Sequence, residues 1–161
     1  MLRLVSYDIV FQEIPGEVTL ALNISGCPNR CPGCHSPHLQ ENAGEPLDEG
    51  LLAGLLKTYG RSVTCVCFMG GDADPVEVER LSLFVRAETG NHLKTAWYSG
   101  KQDFPAACSW ESFDFVKLGP YVERLGGLDG PGTNQRFYRI KNGEFSDITK
   151  SFLKNSVLGK Q

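Results

Sequence analysis

Cys27, Cys31 and Cys34 stand close together in the run Cys-Pro-Asn-Arg-Cys-Pro-Gly-Cys. A Cys-x3-Cys-x2-Cys loop lets three thiolates converge on one inorganic centre without a helix or strand to splay them. Four thiolates close a cubane iron–sulfur cluster. Three leave one iron free, and an open coordination position is what a catalytic metal site keeps and a structural one lacks. The triplet therefore points to a 4Fe-4S cluster with chemistry at its fourth iron. The competing reading is a structural zinc ion with His35 as the fourth ligand. Against it, the side chains of adjacent residues such as Cys34 and His35 diverge, and zinc ligands normally come as two separated pairs.

The rest of the composition narrows the setting. At 161 residues and 41% hydrophobic, the chain reads as one globular domain, 1–161, able to bury a core without staples. Six cysteines in a small secreted protein would suggest disulfides. Here Asp8 and Gln12-Glu13 interrupt any signal-peptide core, so a cytoplasmic protein with thiol or metal chemistry is expected. No apolar run approaches the roughly 20 residues of a membrane span. A net charge of −3 lacks the basic excess of a nucleic-acid binder. Neither a membrane nor a nucleic acid is expected as a partner.

The elements that must position the triplet can be read from periodicity. Val18 to Ile24 is a strand candidate after the Pro15-Gly16 turn signal, and it runs straight into Ser25-Gly26 and the cysteines, whose Pro28, Pro32 and Gly33 make a loop. Leu47 to Tyr59 repeats leucines at helical steps, with Asp48 as N-cap and Gly60 as stop. Ser62 to Phe68 reads as a buried strand ending in Met69-Gly70-Gly71-Asp72. Pro75 opens a second helix, to about Thr89, with Val76, Leu81, Phe84 and Val85 turned inward. Lys94 to Tyr98 and Phe113 to Leu118 are further strands, with an irregular crossover between them. Phe137 to Lys141 and Glu144 to Ile148 flank Asn142-Gly143, a type I′ hairpin signal. The last dozen residues carry no strong pattern.

Strands alternating with helices predict an α/β fold whose sheet is parallel at least in its centre. Ligands in such folds bind at the carboxyl ends of the strands. The cysteine loop and the Gly70-Gly71-Asp72 loop would then share one sheet edge. Glycine lets backbone groups approach a ligand closely; the plain alternative is a strand-to-helix turn in which Asp72 or Asp74 caps the helix. Cys65 and Cys67, two apart on a strand, face one side and read as buried thiols rather than a second metal site. Cys108 reads as structural or incidental. One of Trp97 and Tyr98 is expected in the core and the other toward the site. Asn134-Gln135-Arg136 is either a cofactor or partner contact or a polar turn before the hairpin.

The triplet after a first strand resembles the radical S-adenosylmethionine superfamily. Its Cys31-Pro32-Gly33-Cys34 core is similar to one branch, the activating proteins of anaerobic (class III) ribonucleotide reductase. Gly70-Gly71-Asp72 stands where that branch has Gly-Gly-Asp, Trp97-Tyr98-Ser99-Gly100 resembles its aromatic-Tyr-Thr-Gly stretch, and Gly132-Thr133-Asn134-Gln135-Arg136 resembles its late Gly-Ser-x-Asn-Gln motif. Three departures stand out. Gly33 replaces the superfamily's usual aromatic before the third cysteine, as in the reductase activases. His35 replaces the usual aromatic after it. Ala73-Asp74 intervene before Pro75.

The resemblance implies a partial, open (βα) barrel of the radical S-adenosylmethionine type, with a mostly parallel sheet and a C-terminal hairpin. It implies a 4Fe-4S cluster on Cys27, Cys31 and Cys34, and S-adenosylmethionine bound by Gly33, Cys34, His35, Gly70, Gly71 and Asp72, although His35 reads equally as a surface loop residue. Reductive cleavage would yield a 5′-deoxyadenosyl radical that takes a hydrogen from a glycine of the partner, the glycyl-radical enzyme anaerobic ribonucleotide reductase. The electron would come from a small donor such as flavodoxin or ferredoxin. No acid–base constellation is required, so no catalytic residues beyond the cluster ligands are implied. Other readings are an activase of a different glycyl-radical enzyme, a non-catalytic iron–sulfur carrier and a zinc-stabilised binding module.

Overall fold

A computed structural model describes residues 2–26 and 43–153 of the chain. The sheet is mixed, with eight strands: β1 (Arg3–Val10), β2 (Thr19–Ile24), β3 (Glu45–Pro46), β4 (Cys65–Met69), β5 (Lys94–Tyr98), β6 (Phe115–Leu118), β7 (Arg136–Lys141) and β8 (Glu144–Asp147). Their spatial order is β3-β1-β2-β4-β5-β6-β7-β8. The central block β2-β4-β5-β6 is parallel, and every flanking pair is antiparallel.

Two helices among the described residues are α1 (Glu49–Tyr59) and α2 (Pro75–Glu88), and a further helical turn begins at Lys150. Asp48 caps α1 by accepting the Leu51 amide hydrogen, and Asp74 caps α2 by accepting that of Glu77, with Pro75 in the first turn. Val76, expected inward, is instead 54% exposed. The buried stripe of α2 runs through Val78, Leu81, Ser82 and Val85, whose three- and four-residue steps turn Val76 outward. Asn142 and Gly143 both take positive φ, 54° and 77°, the geometry of a type I′ turn between β7 and β8.

Both helices cover the same face of the sheet. Leu52, Leu55, Leu56, Val78, Leu81 and Val85 pack on Leu20, Leu22, Val66, Phe68, Trp97 and Val116. Strand periodicity turns the alternate residues to the opposite face. There Cys65, Cys67, Ala96, Phe115 and Phe137 form a second cluster around Ile14, with Leu128, Ile148 and Phe152 packed against it. Ile14 comes from the β1–β2 connection and is completely buried, so that connection folds back across the face opposite α1 and α2.

Replacing Ile14 with Ala should lower stability by about 2–5 kcal/mol, the cost of an unfilled core cavity. Phe11→Ala three residues earlier, at a side chain 68% exposed, should change it by less than about 0.5 kcal/mol. Urea unfolding of the two variants measures the difference.

Candidate cluster and ligand site

Cys27, Cys31, Gly33, Cys34 and His35 lie outside the described residues. Their segment leaves the sheet just past the carboxyl end of β2, and its two flanks are joined. Ser25 Oγ accepts the Ala43 amide hydrogen at 3.0 Å and donates back to the Ala43 carbonyl. The segment that carries the triplet is therefore closed at its base by one buried serine.

The Gly70–Gly71 loop lies directly against that base. Both glycines have positive φ, +114° and +93°, a conformation that side chains resist. A Cβ on Gly70 would stand 3.0 Å from the Ile24 carbonyl oxygen at the end of β2, and one on Gly71 would stand 2.5 Å from Val78 Cγ2. The glycines are needed here for close packing of the loop between β2 and α2. Their carbonyls already accept hydrogen bonds, Gly70 from Trp97 Nε1 at 2.8 Å and Gly71 from the Asp74 amide at 3.0 Å. Each keeps a second lone pair for a ligand cation.

Asp72 is 8% exposed. Its carboxylate accepts from Ser99 Oγ at 2.6 Å and from the Gly100 amide at 2.8 Å. These bonds join the β4 loop to the β5 loop. A cleft of about 390 Å³ opens beside Asp72, between Pro75 at the start of α2 and Lys101 and Phe104 in the crossover.

Trp97 and Tyr98 separate as alternate strand residues must. Trp97 is buried on the helix face. Tyr98 lies on the other face, where its hydroxyl donates to the Glu13 carbonyl and holds the Ile14 connection in place. Burial pushes the Tyr98 hydroxyl well above its ordinary pKa. Asn134, Gln135 and Arg136 act as a stitch. Asn134 Nδ2 donates to the Pro120 carbonyl at 3.0 Å and Gln135 Nε2 to the Gly119 carbonyl at 3.4 Å. Arg136 faces the Asp147 carboxylate across the hairpin.

The remaining cysteines do not compete for a metal. Cys65 and Cys67 are fully buried, and desolvation pushes both thiols far above their ordinary range. The thiolate is the metal ligand, and burial in apolar surroundings disfavours it. Cys67 Sγ instead contacts Met69 Sδ at 3.4 Å. Cys108 donates to the Pro75 carbonyl, and burial raises its thiol too. Among the described residues no group of three His, Cys, Asp or Glu is placed to hold a metal.

Lys117 was not singled out by its sequence. It is 8% exposed, on the face away from the helices. Its ammonium donates to the carbonyls of Ser99 at 2.8 Å and Gly119 at 3.1 Å and lies 5.7 Å from the Tyr98 ring centroid. The available signal was a lysine inside the apolar run Phe115-Val116-Lys117-Leu118.

The protein is of the iron–sulfur class. The chain belongs to the 4Fe-4S single cluster domain family, whose model matches residues 15–112. That span runs from the β1–β2 connection through the triplet, the Gly70–Gly71 loop and β5. Comparison with curated proteins and with solved structures gives no match. Among the described residues no helix is long and apolar enough to cross a membrane.

Two outcomes follow from these contacts. Asp72→Ala should cost about 1–3 kcal/mol, because buried donors on Ser99 and Gly100 lose their acceptor, and the Gly100 amide should exchange with solvent measurably faster. The Cys65 and Cys67 thiols titrate higher in the folded than in the unfolded chain. Their contribution to stability is therefore complete below about pH 9 and is lost as the pH rises above it, because only the unfolded state releases the proton. Denaturant midpoints between pH 8 and 11 should fall less steeply in a Cys65→Ala, Cys67→Ala double variant, by up to about 1.4 kcal/mol per pH unit for each thiol removed.

Proposed function

We propose that this protein is a radical S-adenosylmethionine activase that installs a glycyl radical in a partner enzyme, anaerobic ribonucleotide reductase. The observation that carries the reading is the supply of thiols. A 4Fe-4S family member with three cysteines buried or standing alone elsewhere has Cys27, Cys31 and Cys34 left for its cluster. A cluster with three thiolates has one iron open to a ligand. A plain electron carrier gains nothing from that opening.

A bound cluster on Cys27, Cys31 and Cys34 would supply the electron for reductive cleavage of S-adenosylmethionine, whose adenosyl part would then take up the glycine hydrogen as 5′-deoxyadenosine. The chain's own residues do the positioning. Ser25 closes the base of the cysteine segment. Gly70 and Gly71 bring backbone acceptors beside it, where the amino group of S-adenosylmethionine would sit, and Asp72 fixes the adjoining loop. Gly33, Cys34 and His35 would complete the ligand contacts from the segment itself.

On the same reading, β2, β4, β5 and β6, with their helices on one face, form the wall of a partial, open (βα) barrel. Its open side admits the partner's glycine segment. The electron would come from a flavodoxin or ferredoxin, in the cytoplasm.

The test is anaerobic reconstitution with iron and sulfide, followed by electron paramagnetic resonance of the reduced protein. A reduced-cluster signal that changes on adding S-adenosylmethionine, with 5′-deoxyadenosine formed, is the expected result. A cluster indifferent to S-adenosylmethionine would return the chain to the electron carriers. Cys31→Ala should abolish both the signal change and glycyl-radical formation in the partner.

A further inference from the structure

The amino edge of the parallel block holds a groove that the proposed activity does not use. Its volume is about 560 Å³, and it lies where α1 and α2 end, at Gly60 and Thr89, against the turns that lead into β4 and β5. Leu56 and Leu93, both buried, form its floor, and the exposed side chains of Lys57, Arg61 and His92 line it. The five residues of β4 run from this edge to the glycine loop, a span of about 17 Å. The groove is therefore separate from the glycine loop and from Asp72.

The charge in it is unbalanced. In the cleft on the other side of Leu93, Arg86 meets Asp114 at 3.1 Å and Lys94 meets Glu17 at 3.0 Å. Among the described residues no carboxylate lines the groove, and Lys57, Arg61 and His92 have no ion-pair partner. The helix ends account for part of this charge. Each C-terminus carries about half a negative charge, so the ends of α1 and α2 together balance about one cation. Lys57 and Arg61 alone bring more than that, and α2 already has Arg86 in its last turn. A positive surplus remains, on a protein whose net charge is −3.

The kind of anion follows from the backbone. Compact phosphates bind where helix N-termini point amide hydrogens at them. Here both helices present carbonyl ends, which repel a compact anion drawn in between them. Carboxylates on an extended chain can meet the side-chain cations at the rim and stay clear of those carbonyls, while an apolar side chain between them covers the leucine floor. We propose that this groove docks an acidic segment of a partner protein, with carboxylates on Lys57, Arg61 and His92 and an apolar residue over Leu56 and Leu93. The docking requires neither the cluster nor S-adenosylmethionine.

The test is fluorescence anisotropy of a labelled peptide in which glutamates flank one leucine, titrated with the full chain as wild type, as the Lys57→Gln, Arg61→Gln double variant and as Lys94→Gln. The substituted side chains are exposed, so all three proteins should fold alike. The wild type should bind the peptide, and more weakly as salt is raised. Loss of two exposed ion pairs should weaken binding about five- to thirtyfold in the double variant. Lys94→Gln removes a neighbouring cation that already has its carboxylate and should change binding by less than about twofold. A wild type that does not bind, equal weakening by Lys94→Gln, or equal binding of a peptide with glutamines in place of the glutamates would each overturn the proposal. Displacement of the peptide by an equimolar amount of inorganic pyrophosphate would overturn it too, in favour of a phosphate site.

Discussion

The loop edge of this protein is assembled on the buried carboxylate of Asp72. A carboxylate taken out of water must be hydrogen-bonded, and the donors that satisfy it, Ser99 Oγ and the Gly100 amide, belong to the next strand's loop. From there the polar contacts continue without a break. The Ser99 carbonyl accepts from Lys117, Lys117 also donates to Gly119, and Gly119 accepts from Gln135. One chain of hydrogen bonds therefore links the ends of β4, β5, β6 and the start of β7. Isolated parallel strand ends have no such lateral ties beyond the sheet ladder. Here the ties fix the loops relative to each other, which a site built from several loops requires.

The two faces of the sheet divide the labour. The helix face is closed by aliphatic packing and by a hydroxyl network in which Ser82 bonds both Thr95 and the Ser112 carbonyl. On the other face Ile14, from a connection, and apolar residues that follow β6 and β8 pack against Cys65, Cys67, Ala96, Phe115 and Phe137. The Tyr98 hydroxyl pins that packing, because its ring lies on the cluster while its oxygen holds the connection that carries Ile14.

The elements that form the parallel block were legible in the sequence because their burial follows local patterns. The run Cys65-Val66-Cys67-Phe68-Met69 alternates between two apolar faces, and α1 has leucines at helical steps between Asp48 and Gly60. The strand β1 was not legible. A register shift between Leu4 and Ser6 breaks its alternation, and Val5 and Tyr7 stay exposed near the sheet margin. The two-residue β3, which contains Pro46, is too short to carry a signal. Ile14 was hidden for another reason: it is a loop residue whose burial depends on tertiary folding, and no periodicity marks it. At the site, the glycines and Asp72 were visible as a motif, but their packing duties against Ile24 and Val78 were not, because those contacts join residues far apart in the chain.

The placement of sulfur shows how the chain keeps its thiols apart in function. Cys65 and Cys67 sit on the strand that ends in the glycine loop. Were they exposed, they would be further candidate ligands for iron. Burial removes that competition on two counts: it denies access, and it holds the thiols protonated well above their ordinary range. The same desolvation that makes these cysteines good core residues makes them poor ligands. For the proposed three-thiolate cluster the hydrophobic core would matter as much as the triplet, because burial withholds Cys65 and Cys67 from the iron.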